Sequence, residues 1–180
     1  MANQTYIALL RGINVGGKVL KMVDLKTAAA TLGFEEIQTY LQSGNMVFKA
    51  AKAGNDVLAK RISGAIRDHK AVDVTVMVRD AAEWGKIIDG NPYPQAHEFP
   101  KTVHTFILDE TPDPSRLEML KAKEAGREEW QIVDGTLYLH TPDGFGKSVL
   151  GNIIERILKV PMTARNWNTM LALQELAAKS

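Results

Sequence analysis

The 180-residue chain contains no cysteine. That single absence excludes disulfides, thiolate nucleophiles and thiolate metal sites together, and it points to a reducing compartment, the cytoplasm. Histidine is scarce as well. His69, His97, His104 and His140 are scattered at spacings suited neither to metal ligation nor to a base–nucleophile pair, so neither a metal nor a cofactor is expected. Charge of one sign is also missing. The 22 Lys and Arg against 21 Asp and Glu leave a formal net charge of +1, which argues against a global field that would draw in a polyanion. Long apolar runs are absent too. The early run "YIALL" is too short for a signal segment and has no basic stretch before it, and no later run approaches the roughly 20 residues of a membrane span.

What remains is an ordinary globular composition, 45% hydrophobic and 24% charged. Its charge is uneven along the chain. Residues 1–90 carry 12 basic and 9 acidic side chains, a balance of +3, whereas residues 91–180 carry 10 and 12, a balance of −2. The first half is therefore the better place to look for an anion.

The hydrophobic pattern reads as one theme written twice. "TYIALLR" is a strand, and "MVDLKTAAATLG" is a helix with Val23, Leu25 or Lys26, Ala29, Ala30 and Leu32 at helical spacing, closed by Gly33. "IQTYLQ" and "MVFKA" flank Ser43-Gly44-Asn45 as a hairpin. "NDVLAKRISGAIRDH" is a helix that turns Val57, Leu58, Ile62, Ala65 and Ile66 to one side, and "VDVTVMVRD" is an alternating strand. Asp80 and Glu83 have capping-box spacing for a connector helix, which ends at Gly90 and the prolines 92 and 94.

The theme then repeats. "KTVHTFILDE" is a strand, Asp113 and Pro114 open a helix expected to run to Gly126, and Asp134-Gly135 joins "EEWQIV" to "TLYLHT". A helix in "KSVLGNIIERILK", an edge strand in "VPMTARNW" and a last helix complete it. The order predicts an α+β protein of two tandem ferredoxin-like β-α-β-β-α-β subdomains related by internal duplication: residues 1–79, a connector over 80–102, and 103–180 with an additional C-terminal helix.

This topology has a consequence for function. Strands one and two run parallel through their crossover helix, so "RGINVGGK" and "QSGN" should meet at one end of the sheet. The residues expected to form a ligand site there are Arg11, Asn14, Gly16, Gly17, Lys18, Gln42, Ser43 and Asn45. The corresponding loops of the second half, "DETPDP" and "DGT", are acidic. Gly12, Gly17 and Lys18 fit the skeleton of a nucleotide P-loop, but Val19 stands where a magnesium-binding hydroxyl is needed, and the helix starts too late. A Walker-type NTPase is therefore rejected. "GFGKS" is better read as a helix cap at Ser148, with Lys147 a minor candidate for an anion. In "TARNWNT", Asn166 or Asn168 can cap the last helix and Trp167 can be core, which leaves Arg165 as a further binding candidate.

Three readings follow for the function. In the leading one, an anionic small molecule bearing phosphate or carboxylate binds at the converging loops, with Arg165 as a further contact; its enzymatic form uses Arg11 and Arg165 as a charge clamp. In the second, a nucleic acid is held by Arg11, Lys18, Lys21 and Lys49 at its phosphates. Binding to the sheet face is disfavoured, because both faces of strand one are apolar and strand three lacks the aromatic RNA-binding core. In the third, Arg11, Asn14 and Asn45 are structural and stitch the two halves together. No membrane partner is expected, and nothing in the sequence indicates an oligomeric state.

The motifs "YIALLRGINVGGK", "MVDLKTAAATLGF", "TYLQSGNMVF" and "TARNWNTMLAL" together resemble domain-of-unknown-function family 1697 of uncharacterised bacterial proteins, over nearly the whole chain. The resemblance implies two ferredoxin-like subdomains in tandem. It implies no activity, substrate or cofactor, so Arg11, Gly12, Asn14, Gly16, Gly17, Gln42, Ser43, Gly44, Asn45, Arg165, Asn166 and Trp167 match signature motifs without inheriting roles from them.

Overall fold

The computed structural model describes residues 2–180. Its first repeat consists of strand β1 (Asn3–Arg11), helix α1 (Met22–Ala30), β2 (Glu35–Tyr40), β3 (Asn45–Ala51), α2 (Asn55–Lys70) and β4 (Thr75–Asp80). All pairings are antiparallel in the order β2-β3-β1-β4, the ferredoxin-like arrangement, which leaves β1 in the centre. Helix α3 (Ala81–Asp89) follows. The second repeat consists of β5 (Val103–Leu108), α4 (Pro114–Lys121), β6 (Glu129–Val133), β7 (Thr136–His140), α5 (Val149–Leu158) and β8 (Met162–Asn166), with sheet order β6-β7-β5-β8. Helix α6 (Trp167–Lys179) closes the chain. The duplicated α+β architecture is thus present in full. By contact density, the chain up to Lys86 together with Ala172–Ser180 forms one compact unit, and Ile87–Leu171 forms another.

Local signals account for most boundaries. Asp80 and Glu83 form a reciprocal capping box at α3: the Glu83 N–H donates to Asp80 Oδ1 and the Asp80 N–H to Glu83 Oε2, both at 2.8 Å. Asp113 accepts from the Ser115 N–H at the start of α4, Ser148 Oγ from the Gly151 N–H at α5, and Asn166 Oδ1 from the Thr169 N–H at α6.

Helices α1 and α2 bury Leu25, Ala28, Ala29, Leu58, Ile62 and Ile66 against Tyr6, Ala8, Leu10, Met46 and Phe48 of the sheet. Each such leucine or isoleucine contributes about 1.5–3 kcal/mol. Two expectations are corrected here. Val23, Ala30 and Val57 lie on the solvent side, because the sheet selects Leu25, Ala28 and Leu58 as the inward turn. Helix α4 stops at Lys121 rather than at Gly126, since after Leu120 the residues "KAKE" offer no buried anchor and helix propensity alone does not extend a short helix.

The face of each sheet opposite its helices differs between the repeats. In the first it presents Ile7, Leu9, Val47 and Met77, all buried. In the second that face carries Thr105, Thr136, Tyr138, His140, Thr163 and Arg165, buried as well.

Candidate functional site

The loop Gly12–Lys21 and the turn Leu41–Gly44 meet at one end of the first sheet, as the parallel relation of β1 and β2 requires. Asn14 joins them. Its Nδ2 donates to the Gln42 carbonyl at 2.6 Å and to the Leu20 carbonyl at 2.9 Å, while its Oδ1 accepts from the Leu20 N–H at 3.0 Å. Both donors of the amide are in use, so Asn14 shapes the loop instead of reaching outward. Its own backbone sits at φ 56°, a conformation that asparagine tolerates better than most side chains.

The turn is fitted to the loop just as closely. The Leu10 N–H donates to the Gly44 carbonyl at 2.8 Å. A Cβ at Gly44 would lie 2.7 Å from both Leu10 Cβ and Ile13 Cδ1, and Gly44 holds φ at +86°, so only glycine suits the position. Asn45 is fully buried, and its Nδ2 donates to the Tyr40 carbonyl and to Ser43 Oγ. Asn14, Gly44 and Asn45 are therefore the frame of this end of the molecule. Gln42 takes part through its carbonyl, and its side chain, like that of Ser43, lies at the surface.

The frame presents the rest of the loop. Gly16, Gly17 and Lys18 are exposed, and Arg11 is half-buried. Arg11, Gly12, Val15, Gly16, Lys18 and Thr75 line a depression of about 340 Å³. Lys18 Nζ donates to the Asp73 carbonyl at 3.0 Å. The lining holds two cations and no carboxylate. Val15 and Val19 stand on the same loop at 66% and 67% exposure, unusual values for valine and a sign that folding does not require them there. Helix α1 starts at Met22, four residues beyond Lys18 and with Asp24 in its first turn, so no helix N-terminus faces the loop as it does in a P-loop.

Arg165 belongs to the other unit. It lies on β8 opposite Thr105, buried, with its guanidinium donating to Thr163 Oγ1 and the Ala164 carbonyl, both at 2.8 Å. Burial pulls its pKa down to about 10, which still leaves it charged at neutral pH. The lysine-glycine loop at Gly144–Ser148 carries its own anion. Glu128 accepts from the Val149 and Leu150 N–H groups and from Ser148 Oγ, all within 2.9 Å, and so occupies the start of α5 where a phosphate would otherwise be favoured. No local signal marks Glu128, because its partners lie some twenty residues away. His104 is stacked on Phe145 at 3.9 Å between ring centroids, and burial pushes its pKa down to about 4. Among the described residues no cluster of His, Asp or Glu could hold a metal ion, and no helix is long and apolar enough to cross a membrane.

Comparison with known proteins agrees with this picture of a recognisable fold without an assigned chemistry. No curated protein matches the sequence. Among solved structures, a conserved bacterial protein, SP0830 from Streptococcus pneumoniae, superposes with a TM-score of 0.77 at 20% identity, covering 98% of this chain and 99% of that one. That likeness shows the fold. Residues 3–138 match the family described as protein of unknown function, DUF1697, and the chain belongs to that family.

Proposed function

We propose that the protein binds a small anionic ligand, bearing phosphate or carboxylate, in the depression on the glycine-rich loop of its first unit. The observation that carries this reading is a lining that combines Arg11 and Lys18 with the backbone of Gly12 and Gly16 and includes no acidic side chain. Guanidinium and ammonium groups supply charge-assisted donors, and a backbone without side chains allows an anion to approach peptide N–H groups closely. Asn14 and Asn45 hold the loop in shape, and Arg165 plays no part in the proposed contact. The structural reading of these motifs and the binding reading are thus complementary: one set of residues builds the frame, and another lines the depression.

The test is a thermal-shift screen at low salt against pyrophosphate, citrate, sugar phosphates, nucleotides and short oligonucleotides, with Lys18→Ala alongside. A ligand at about 100 times its dissociation constant should add roughly 2.7 kcal/mol of stability. The expected result is a shift with wild type that the variant loses. A panel without a shift, or a shift that survives in Lys18→Ala, would refute the reading. Stabilisation by an oligonucleotide that collapses steeply with added salt would favour the nucleic-acid alternative.

A further inference from the structure

Strand β6 is an edge of the second sheet. It joins β7 through Asp134 and Gly135, both at positive φ (48° and 79°), and a two-residue turn of this kind closes on a hydrogen-bonded pair, here Val133 and Thr136. Alternation along the ladder then makes Gln131 opposite Tyr138, and Glu129 opposite His140, the remaining hydrogen-bonded pairs. Trp130 and Ile132 consequently turn their N–H and C=O groups away from β7. No turn or loop backbone bonds to them. Two donors and two acceptors therefore stand at strand spacing along an edge with no neighbouring strand.

This edge is not flat against solvent. Beside it runs a recess of about 1090 Å³, walled by β6, by Leu117 and Lys121 of α4, and by the loop from Lys123 to Gly126. Tyr93 forms part of the wall and is 3% exposed. Its hydroxyl is buried and makes no hydrogen bond of standard geometry, and the polar side chain beside it is that of Gln131. Burial holds the phenol up at about 12, so it remains a donor throughout the physiological range. A buried donor without an acceptor is costly, and an incoming acceptor would remove that cost. The matching edge of the first unit is different. There β2 carries a bulge between Glu35 and Gln38, and Gln38 is bonded to Ser180, the kind of device by which natural sheets blunt an exposed edge.

We infer that β6 is a docking edge for an extended peptide segment of another protein, which adds as a fifth strand, sets apolar side chains toward Leu117 and Leu150, and turns an Asp, Glu, Asn or Gln toward Tyr93. The wall formed by α4 favours this occupant over a second copy of the chain. A single added strand lies about 4.8 Å from its neighbour and needs only the recess beside β6, whereas the edge of a second sheet would bring its own flanking helix against α4. The proposal concerns the second unit and is independent of the anion site on the first.

The experiment is residue-resolved amide hydrogen exchange with short acetylated peptides in which valine alternates with glutamate, asparagine or lysine. The glutamate and asparagine peptides should protect the Trp130 and Ile132 amides and leave those of Glu129 and Gln131, already in the ladder, unchanged. Ile132→Pro should keep its fold, since the missing N–H faces outward, and should no longer bind. Tyr93→Phe, which removes a hydroxyl that no group satisfies, should fold as well as wild type and weaken the asparagine peptide about fivefold, the equivalent of one hydrogen bond. Absence of protection with every peptide would overturn the proposal, as would binding that survives in a folded Ile132→Pro. Protection that appears without peptide and grows with protein concentration would overturn it in favour of pairing between copies.

Discussion

The two repeats solve the same folding problem with different amounts of chain. In the second, β5 reaches α4 through residues 109–113 and β6 turns into β7 at Asp134 and Gly135; in the first, β1 reaches α1 only after residues 12–21, and β2 turns into β3 through residues 41–44. The shorter connections show what the fold needs. The additional residues of the first repeat include Gly16, Gly17, Lys18 and the exposed Val15 and Val19, of which Val15, Gly16 and Lys18 line the depression. Chain beyond what the fold requires, held in place by Asn14 and Gly44, fits the ligand-presenting role proposed for this loop.

The sharpest way to break this comparison is at the turn glycines. Gly44→Ala places a methyl group against Leu10 and Ile13 at a strained φ, and should cost about 4 kcal/mol in urea unfolding. Gly135→Ala, at the matching turn, meets nothing within 4 Å and should cost only about 1 kcal/mol. Equal losses would mean that the loop and the turn of the first repeat are not packed as described.

A second contrast lies in the central strands. Tyr6 pairs with the last residue of β4 and His104 with the last residue of β8, so they hold matching places. The Tyr6 hydroxyl accepts from the Ala53 N–H and donates to the Ala53 carbonyl, whereas His104 Nδ1 is buried without a partner. The folded imidazole titrates near 4 and the unfolded one near 6.5, so the unfolded chain takes up the proton first as pH falls. Stability is full above about pH 6.5 and declines toward pH 4, by up to about 3 kcal/mol from this group. In His104→Phe this part of the acid sensitivity should disappear from urea titrations at pH 7 and pH 4.5.

The third prediction concerns the frame. Asn14→Ala leaves the Gln42 carbonyl and both backbone groups of Leu20 without their partner, and should cost about 2 kcal/mol while speeding amide exchange in the loop. The second repeat, with its short connection, has no counterpart to lose.

Elements whose ends are marked within three residues were legible in the sequence. The Asp80–Glu83 box and the caps at Asp113 and Ser148 signal boundaries through neighbouring side chains, whereas α1 ends at Ala30, three residues before the glycine expected to close it. The meeting of "RGINVGGK" with "QSGN" was legible too, because the direction of the strands fixes it. What Asn14 does there was not. An asparagine in a glycine loop reads equally as a ligand donor or as a brace, and only the position of the Gln42 carbonyl, 28 residues away, decides between them. Glu128 at the start of α5 and Tyr93 beside β6 escaped for the same reason, since the groups that give them meaning are distant in sequence.

The most direct test of the central claim is backbone amide mapping by NMR during titration with pyrophosphate at low salt. The account predicts shifts at Gly12, Gly16, Gly17 and Lys18, saturating with pyrophosphate, and none across residues 109–113 of the second repeat. Shifts of similar size in both connections, or none in the first, would contradict it and leave the longer loop without the role assigned to it.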